Sequence, residues 1–370
     1  MTVATLPIER PAGRLRQLVA SGIGPVLAVV LAIIVGGVVV LVSGSNPITA
    51  YQQMLVGAVG SPFDISETFI SSIPLILAAY AVSFAFRCGL FNIGAEGQLY
   101  MGAIASTWLA TTFPNWPGIV LIILCIVAAM IAGGAWAGIA GWLKAKTGAH
   151  EVITTMMLSY VAIDISHWLL EAGPMTPSNA YGTPESGPIP PQAAFPIILP
   201  SWILPNARLN ASLFLTILAG VVFAWILWRT PLGYEIRAVG FNPKAAAYGG
   251  INVARRLVVA MVIAGAFAGL AGMVPVWVQM RLYDSFSPGY GYEAIAVALV
   301  GRNSAIGIFL AGLLYGAMIH GSVAMQANAN ISGFLVQILQ ALVLFFVGAE
   351  LLIRWLLRRG GLRALVEAPA

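Results

Sequence analysis

The sequence predicts an all-α integral membrane protein of about ten transmembrane segments, some of them broken or half-length, in two loosely related halves. Three observations predict it. Of 370 residues, 59% are hydrophobic and only 8% are charged, against roughly 25% charged in a soluble domain. The mean hydropathy is +0.91. The apolar residues come in long continuous runs, which fit spanning helices and not the alternating strands of a barrel. Too few charged side chains remain to solvate a globule in water. A soluble enzyme, a disordered chain and a nucleic-acid-binding domain are therefore excluded, and no nucleic-acid partner is expected.

The segments are read in order as 19–42, 67–86, 98–112, 119–143, 151–171, 209–229, 257–279, 292–301, 305–326 and 333–353. The first contains the apolar run from Ile23 to Val42, long enough to span and too long for a signal-peptide core. An even count puts both termini on one side. Fifteen of the eighteen Lys and Arg residues fall on that side, so the positive-inside rule places both termini in the cytoplasm. The chain is then one transmembrane domain, 1–370, with a cytoplasmic tail at 1–18 and another at 354–370. Cys88 and Cys125 lie in or beside apolar segments, so neither a disulfide nor a metal site is expected.

The stretch between the second and third segments, GLFNIGAEGQ at 89–98, interrupts an apolar run with three glycines and with Asn92, Glu96 and Gln98. Broken backbone at membrane depth is tolerated where it packs in protein or lines a cavity. An ionisable Glu96 there is a pathway candidate. The alternative reading leaves it near the cytoplasmic surface, paired with Arg87. The fifth segment opens EVITTMMLSY, with Glu151, Thr154, Thr155 and Ser159 on one side at helical spacing. These suit either interhelical hydrogen bonds or a pathway lining. Further along, Asp164, His167 and Glu171 form a stripe that fits a solvated outer face or a docking surface better than a metal site.

Residues 172–208 form an external loop with nine prolines, which bars a regular helix; Trp168 and Trp202 flank it as interfacial anchors. Residues 230–256 form the longest polar stretch on the cytoplasmic side. In it Asn242 stands at an N-cap position and Pro243 at the first turn of a short Ala-rich helix ending at Tyr248, with glycines around it. Such a helix needs something to pack on.

Between Asp284 and Gly307 the apolar piece Ala294–Arg302 is only nine residues long, about half of what a span requires. A short helix, a turn at 301–303 and a longer returning helix are expected. Glu293 opens that piece; Arg302 and Asn303 close it. Arg302 needs a partner, with Glu96 or helix-end carbonyls as candidates. No lysine follows a glycine anywhere, so a Walker A phosphate loop is impossible. HExxH and GxSxG are also absent.

Four motifs, GLFNIGAEGQ (89–98), EVITTMMLSY (151–160), GYEIRAVGFNPKAAAYGGI (233–251) and EAIAVALVGR (293–302), together resemble permease subunits of ABC importers. The family is the branched-chain amino acid/ribose type, nearest the nucleoside (simple-sugar) branch, and the resemblance covers about 65–353. It implies a non-enzymatic subunit that forms the translocation pathway in a bacterial-type plasma membrane. It implies two ABC ATPase subunits that use ATP and Mg, a second related permease in a heterodimer, and an extracytoplasmic substrate-binding lipoprotein, all embedded in or facing membrane lipid. This chain itself is expected to bind no cofactor. Carried over by position, Asn92, Glu96 and Gln98 belong to the family's intramembrane glycine motif. Gly240, Asn242, Pro243, Ala246, Ala247, Tyr248 and Gly249 belong to its ATPase-coupling loop. A small neutral hydroxylated solute is expected, a nucleoside first. The alternatives are a pentose or hexose, or else a proton-coupled secondary transporter with Glu96 or Asp164 as carrier.

Overall fold

Helices build nearly everything that positions the site. The computed structural model describes residues 30–177, 184–198, 208–329 and 331–348; the expected tails, part of the external loop with Trp202, and the start of the first segment lie outside them. Among the described residues the non-helical pairing is limited to two isolated bridges, Glu185 with Tyr283 and Ile197 with Asn210.

Helices α1 (Val30–Val42) and α2 (Pro47–Val59) meet at a bend of 120°. The turn uses Gly44 at φ +86°, a left-handed conformation that suits glycine. Asn46 then caps α2 by accepting from Ile48 N at 2.9 Å, with Pro47 in the first turn. Reading the first span as straight through 42 and leaving 43–66 unassigned misses α2, because the turn is set by one glycine and one cap.

Helix α3 (Pro62–Arg87) is the axis of the molecule, starting from the Ser61 cap and almost wholly buried. Its C-terminal half packs on α10 (Val253–Gln279) and its whole length on α12 (Ala305–Ala329). Helix α5 (Gly118–Thr147) lies against α10 along glycines. A Cβ built at Gly133, Gly265 or Gly269 would collide with backbone across the seam. Lipid offers no hydrophobic drive for helix association, so close backbone packing at small residues has to supply it. Gly265→Leu is therefore expected to abolish a monodisperse detergent-solubilised protein in size-exclusion chromatography. The conservative change Ile131→Leu, at an exposed α5 position, is expected to leave the profile intact. Equal profiles for the two would mean that the seam is not close-packed.

The remaining helices are α4 (Ala95–Thr112), α6 (Glu151–Glu171), α7 (Ser212–Arg229), α8 (Pro231–Phe241), α9 (Pro243–Tyr248), α11 (Tyr290–Val300) and α13 (Phe334–Gly348). The ten expected segments overlap, in order, α1, α3, α4, α5, α6, α7, α10, α11, α12 and α13. By length and composition, six of the described helices can cross a membrane: α3, α5, α6, α7, α10 and α12, or seven spans with the bent α1–α2 pair. Helix α4 carries Glu96, Gln98 and several hydroxyls in its 18 residues and falls outside that set, while α11 and α13 are short.

Helix α6 serves as a ruler. At one end Glu151 pairs with Lys144 at 2.8 Å; at the other His167 Nδ1 meets Asp284 at 2.5 Å. Ser159 is midway, about 12 Å from each end at 1.5 Å per residue. The His167–Asp284 contact also shows that the Asp164–Glu171 stripe is more than a solvated face: its histidine holds the segment leading into α11.

Candidate functional site: two half-helices meeting at their N-termini

Two interrupted elements converge at the Ser159 level. The first leaves the C-terminus of α3 through Gly89, at φ +75°, runs through residues 88–94 without helix, and begins α4 at Ala95. The second enters from the Asp284 end and begins α11 at Tyr290. Helix α4 then runs towards the His167 end, and α11 runs the other way, towards Arg87.

Asn92 and Gln98 hold the first element in shape. Their buried amides pair twice, Asn92 Nδ2 donating to Gln98 Oε1 at 3.0 Å and Gln98 Nε2 to Asn92 Oδ1 at 2.9 Å. Asn92 Oδ1 also accepts from Gly94 N at 3.1 Å. The polar groups that break the helix thus satisfy one another. Asn92→Ala or Gln98→Ala leaves a buried amide unpaired, which costs about 1–3 kcal/mol. Each single variant is expected to lower the melting temperature of the purified protein. Asn92→Leu with Gln98→Leu is expected to recover part of the loss, because neither amide is then left without the other and only Gly94 N loses its acceptor. A double variant no more stable than the singles would count against this pairing.

Glu96 stands in the first turn of α4 and is buried. Its Oε2 accepts from Gly291 N at 2.6 Å, and the Ser287 hydroxyl bonds the same carboxylate. A negative group there faces two helix N-termini at once, which both helix dipoles favour. The backbones touch: a Cβ on Gly291 would collide with Glu96 N. On the α6 side Gly97 N donates to Ser159 Oγ at 3.2 Å, and Ser159 Oγ donates to Thr155 O at 3.2 Å. A Cβ at Gly94 or Gly97 would overlap Thr155 or Ser159. The Tyr292 phenol meets the Ser159 hydroxyl, and Glu293 is an electrostatic neighbour of Glu96 with a buried Oε2 that lacks a hydrogen-bond partner. Tyr100 packs against Phe286 with the rings tilted by 54° and their centroids 4.7 Å apart.

The structure thus gathers Asn92, Glu96, Gln98, Thr155, Ser159 and Glu293. It does not bring the other expected pathway residues to them. Glu151 sits at the Lys144 end, and Thr154 turns its hydroxyl back on its own helix. Arg302 and Asn303 sit past the C-terminus of α11, about 16 Å from its start. Glu96 is consequently not the partner of Arg302, and it is not paired with Arg87 either. Arg87 Nη2 donates instead to Asn303 O at 2.7 Å. Sequence reading missed Ser287 and Gly291 as functional positions. The cap was legible in SPGYG: Ser287 Oγ accepts from Gly289 N at 3.2 Å and Tyr290 N at 3.1 Å.

A second surface lies at the arginine-rich end. Thr230 Oγ1 caps α8 by accepting from Gly233 N at 3.1 Å, so the expected single short helix is a pair. Gly240 lies directly on the Arg87 backbone, which ties α8 to the start of the 88–94 segment. Asn242 Oδ1 caps α9, accepting from Lys244 N at 3.0 Å and Ala245 N at 3.1 Å with Pro243 first in the helix. Ala246 faces inward at 6% exposure, whereas Phe241 and Tyr248 stand out at 89% and 98%. Ala247 and Gly249 are exposed. Residues of α8, α9 and Gly250–Ile251 line a groove of about 530 Å³.

Apolar spans around two head-to-head half-helices, with an exposed aromatic helix pair at one end, define a membrane permease. The chain belongs to the family described as branched-chain amino acid transport system / permease component, whose model matches residues 64–348. It is similar to the glucose ABC transporter permease protein TsgB13 of Haloferax volcanii, at 37% identity over 87% of this chain and 86% of that one. It is also similar to the nucleoside ABC transporter permease protein NupB of Lactococcus lactis, at 37% over 90% and 92%. A third relative is the guanosine ABC transporter permease protein NupP of Bacillus subtilis, at 34% over 90% and 94%. No solved structure matches the chain.

Proposed function

We propose that this chain is one of two permease subunits of an ATP-driven importer and carries nucleosides. The observation that supports the substrate is its likeness, over about nine-tenths of its length, to two permeases named for nucleosides from different organisms. In this reading the domain crosses a bacterial-type plasma membrane ten times with both ends on the cytoplasmic, arginine-rich side. A separate ATPase pair uses ATP and Mg, a second related permease completes a heterodimer, and an external lipoprotein delivers the ligand. Closure of the ATPases pushes on α9. Its companion α8 rests through Gly240 on the turn that begins the 88–94 segment, so the push reaches the α4–α11 junction through backbone contacts.

A sugar is the second reading, favoured by the equal identity to a glucose permease. The test is uptake of labelled uridine into proteoliposomes holding the whole complex, with ATP inside and glucose or unlabelled adenosine as competitor. Competition by adenosine alone supports the nucleoside; competition by glucose alone supports the sugar. Uptake that needs no ATPase and collapses with an uncoupler would overturn both in favour of a proton-coupled carrier.

A further inference from the structure

One groove lies away from the junction and from the α8–α9 surface, along the seam of α7 and α12. It encloses about 420 Å³. Ile217, Val221 and Ala224 form one wall, Ile306 and Phe309 the other, and the Tyr80 ring lies at the bottom beside Gly220. Tyr80 keeps its own hydroxyl out of the apolar space by donating to Ala305 O at 3.1 Å. The rim residues Ile217, Val221 and Ile306 are exposed, so the groove is open sideways to whatever surrounds the helices.

Its end is charged. Ile217, Val221, Ala224 and Trp228 follow one another at helical spacing, so the wall on α7 leads straight to the Trp228 indole. Two guanidiniums crowd that ring, Arg237 with Cζ 4.2 Å and Arg87 with Cζ 5.4 Å from its centroid. On the opposite wall Ala305 leads back to Asn303, whose carbonyl accepts from Arg87 at 2.7 Å. Arg87 Nε is buried with no hydrogen-bond partner. Among the described residues neither arginine has a carboxylate at ion-pair distance; Glu235, on the same helix as Arg237, is held by Arg256. Two adjacent cations with no carboxylate among the described residues at ion-pair distance, at the mouth of an apolar groove, call for an anion with a hydrocarbon tail.

We propose that this seam binds one anionic phospholipid, its acyl chain in the α7–α12 groove and its phosphodiester between Arg87 and Arg237. Guanidinium groups suit a phosphate by charge and by paired donors. An indole beside them is the usual anchor at headgroup level. A helix of a second permease could fill the apolar part, but it would leave both charges unanswered unless it brought an acid to that depth. The proposal rests on the groove and its mouth, and is independent of which solute is carried.

The test is native mass spectrometry of the full chain purified from membranes and exchanged into micelles with equal palmitoyl-oleoyl phosphatidylglycerol and phosphatidylcholine. Retention of the glycerol lipid is expected to exceed that of choline by roughly fivefold for each arginine engaged. Arg237→Gln is expected to lower that ratio by one such factor. Ala224→Trp, which fills the groove, is expected to bring it to parity. Ile306→Trp fills it from an exposed position that the fold tolerates, and keeps the test decisive should Ala224→Trp not fold. Equal retention of both lipids by the unaltered chain overturns the proposal. So does a preference that survives filling of the groove, or efficient photo-cross-linking to a second permease, in native membranes, of a benzophenone maleimide attached at Ile306→Cys.

Discussion

Gly291→Ala is expected to abolish uptake. A Cβ at Gly291 has no soft neighbour to push aside: the atoms it meets are the backbone N and Cα of Glu96 and the backbone of Ala95. One half-helix must move away from the other. Overpacking alone costs about 1–3 kcal/mol. The movement also breaks the 2.6 Å bond from Gly291 N to the Glu96 carboxyl group, leaving a buried acceptor short of a donor, which costs about 1–3 kcal/mol more. The direct contact between α4 and α11 is small beside the packing of α4 on α5 and α10 and of α11 on α3, so a shift that opens the junction leaves most of what holds each helix in place. Accumulation in the membrane is therefore expected to fall less than transport. Glu96→Gln separates charge from contact. Its amide oxygen can still accept from Gly291 N, while the favourable negative charge at two helix N-termini is gone, so an intermediate loss is expected. Uptake in proteoliposomes and in-gel quantity of the inserted protein measure both. Full uptake by Gly291→Ala would show that the half-helices do not touch in any transporting state.

How much of this was open to reading follows from the range of each interaction. Hydropathy is local and additive, so every one of the ten apolar segments overlaps a helix. Caps are local too, and Asn242 with Pro243 placed α9 to the residue. The glycines and polar residues of 89–98 marked broken backbone correctly, because a helix former would not be spent there. What stayed hidden is pairing at a distance. Glu96 finds Gly291 across 195 positions, and Arg87 finds Asn303 across 216. No periodicity encodes such partners, so the sequence left Glu96 open between a pathway position and a pair with Arg87, and the structure sets the pair with Arg87 aside. The structure answers each with backbone: an amide for the carboxylate and a carbonyl for the guanidinium. The first expected segment ends at Val42, as α1 does; what was missed is α2, whose 13 residues mix in polar side chains and are too few to span a bilayer.

Ala246→Glu is expected to cut ATP-dependent uptake by more than about tenfold while the complex still assembles and hydrolyses ATP. Ala246 is the one residue of α9 that faces inward. Its backbone is tied at both ends, its N–H to Asn242 O at 2.9 Å and its carbonyl to Ile251 N at 3.0 Å. A carboxylate at that position cannot stay buried without a partner, because desolvating it costs several kcal/mol. It escapes by rolling or lifting α9 off α8. The exposed aromatic faces of Phe241 and Tyr248 then change their angle to each other, and a push delivered to them no longer reaches Gly240 and the Arg87 turn beneath it. A rate of tenfold is 1.4 kcal/mol of transition-state free energy, well within what such a displacement removes. Ala246→Ser is the matched control, since its hydroxyl can return to the Asn242 carbonyl one turn back and remain in place. Its uptake is expected to stay near that of the unaltered chain. The measurement is the ratio of solute moved to ATP hydrolysed in the same vesicles. A normal ratio for Ala246→Glu would remove α9 from the coupling path. Loss of the assembled complex in both variants would make α9 a folding element of the α8–α10 corner instead.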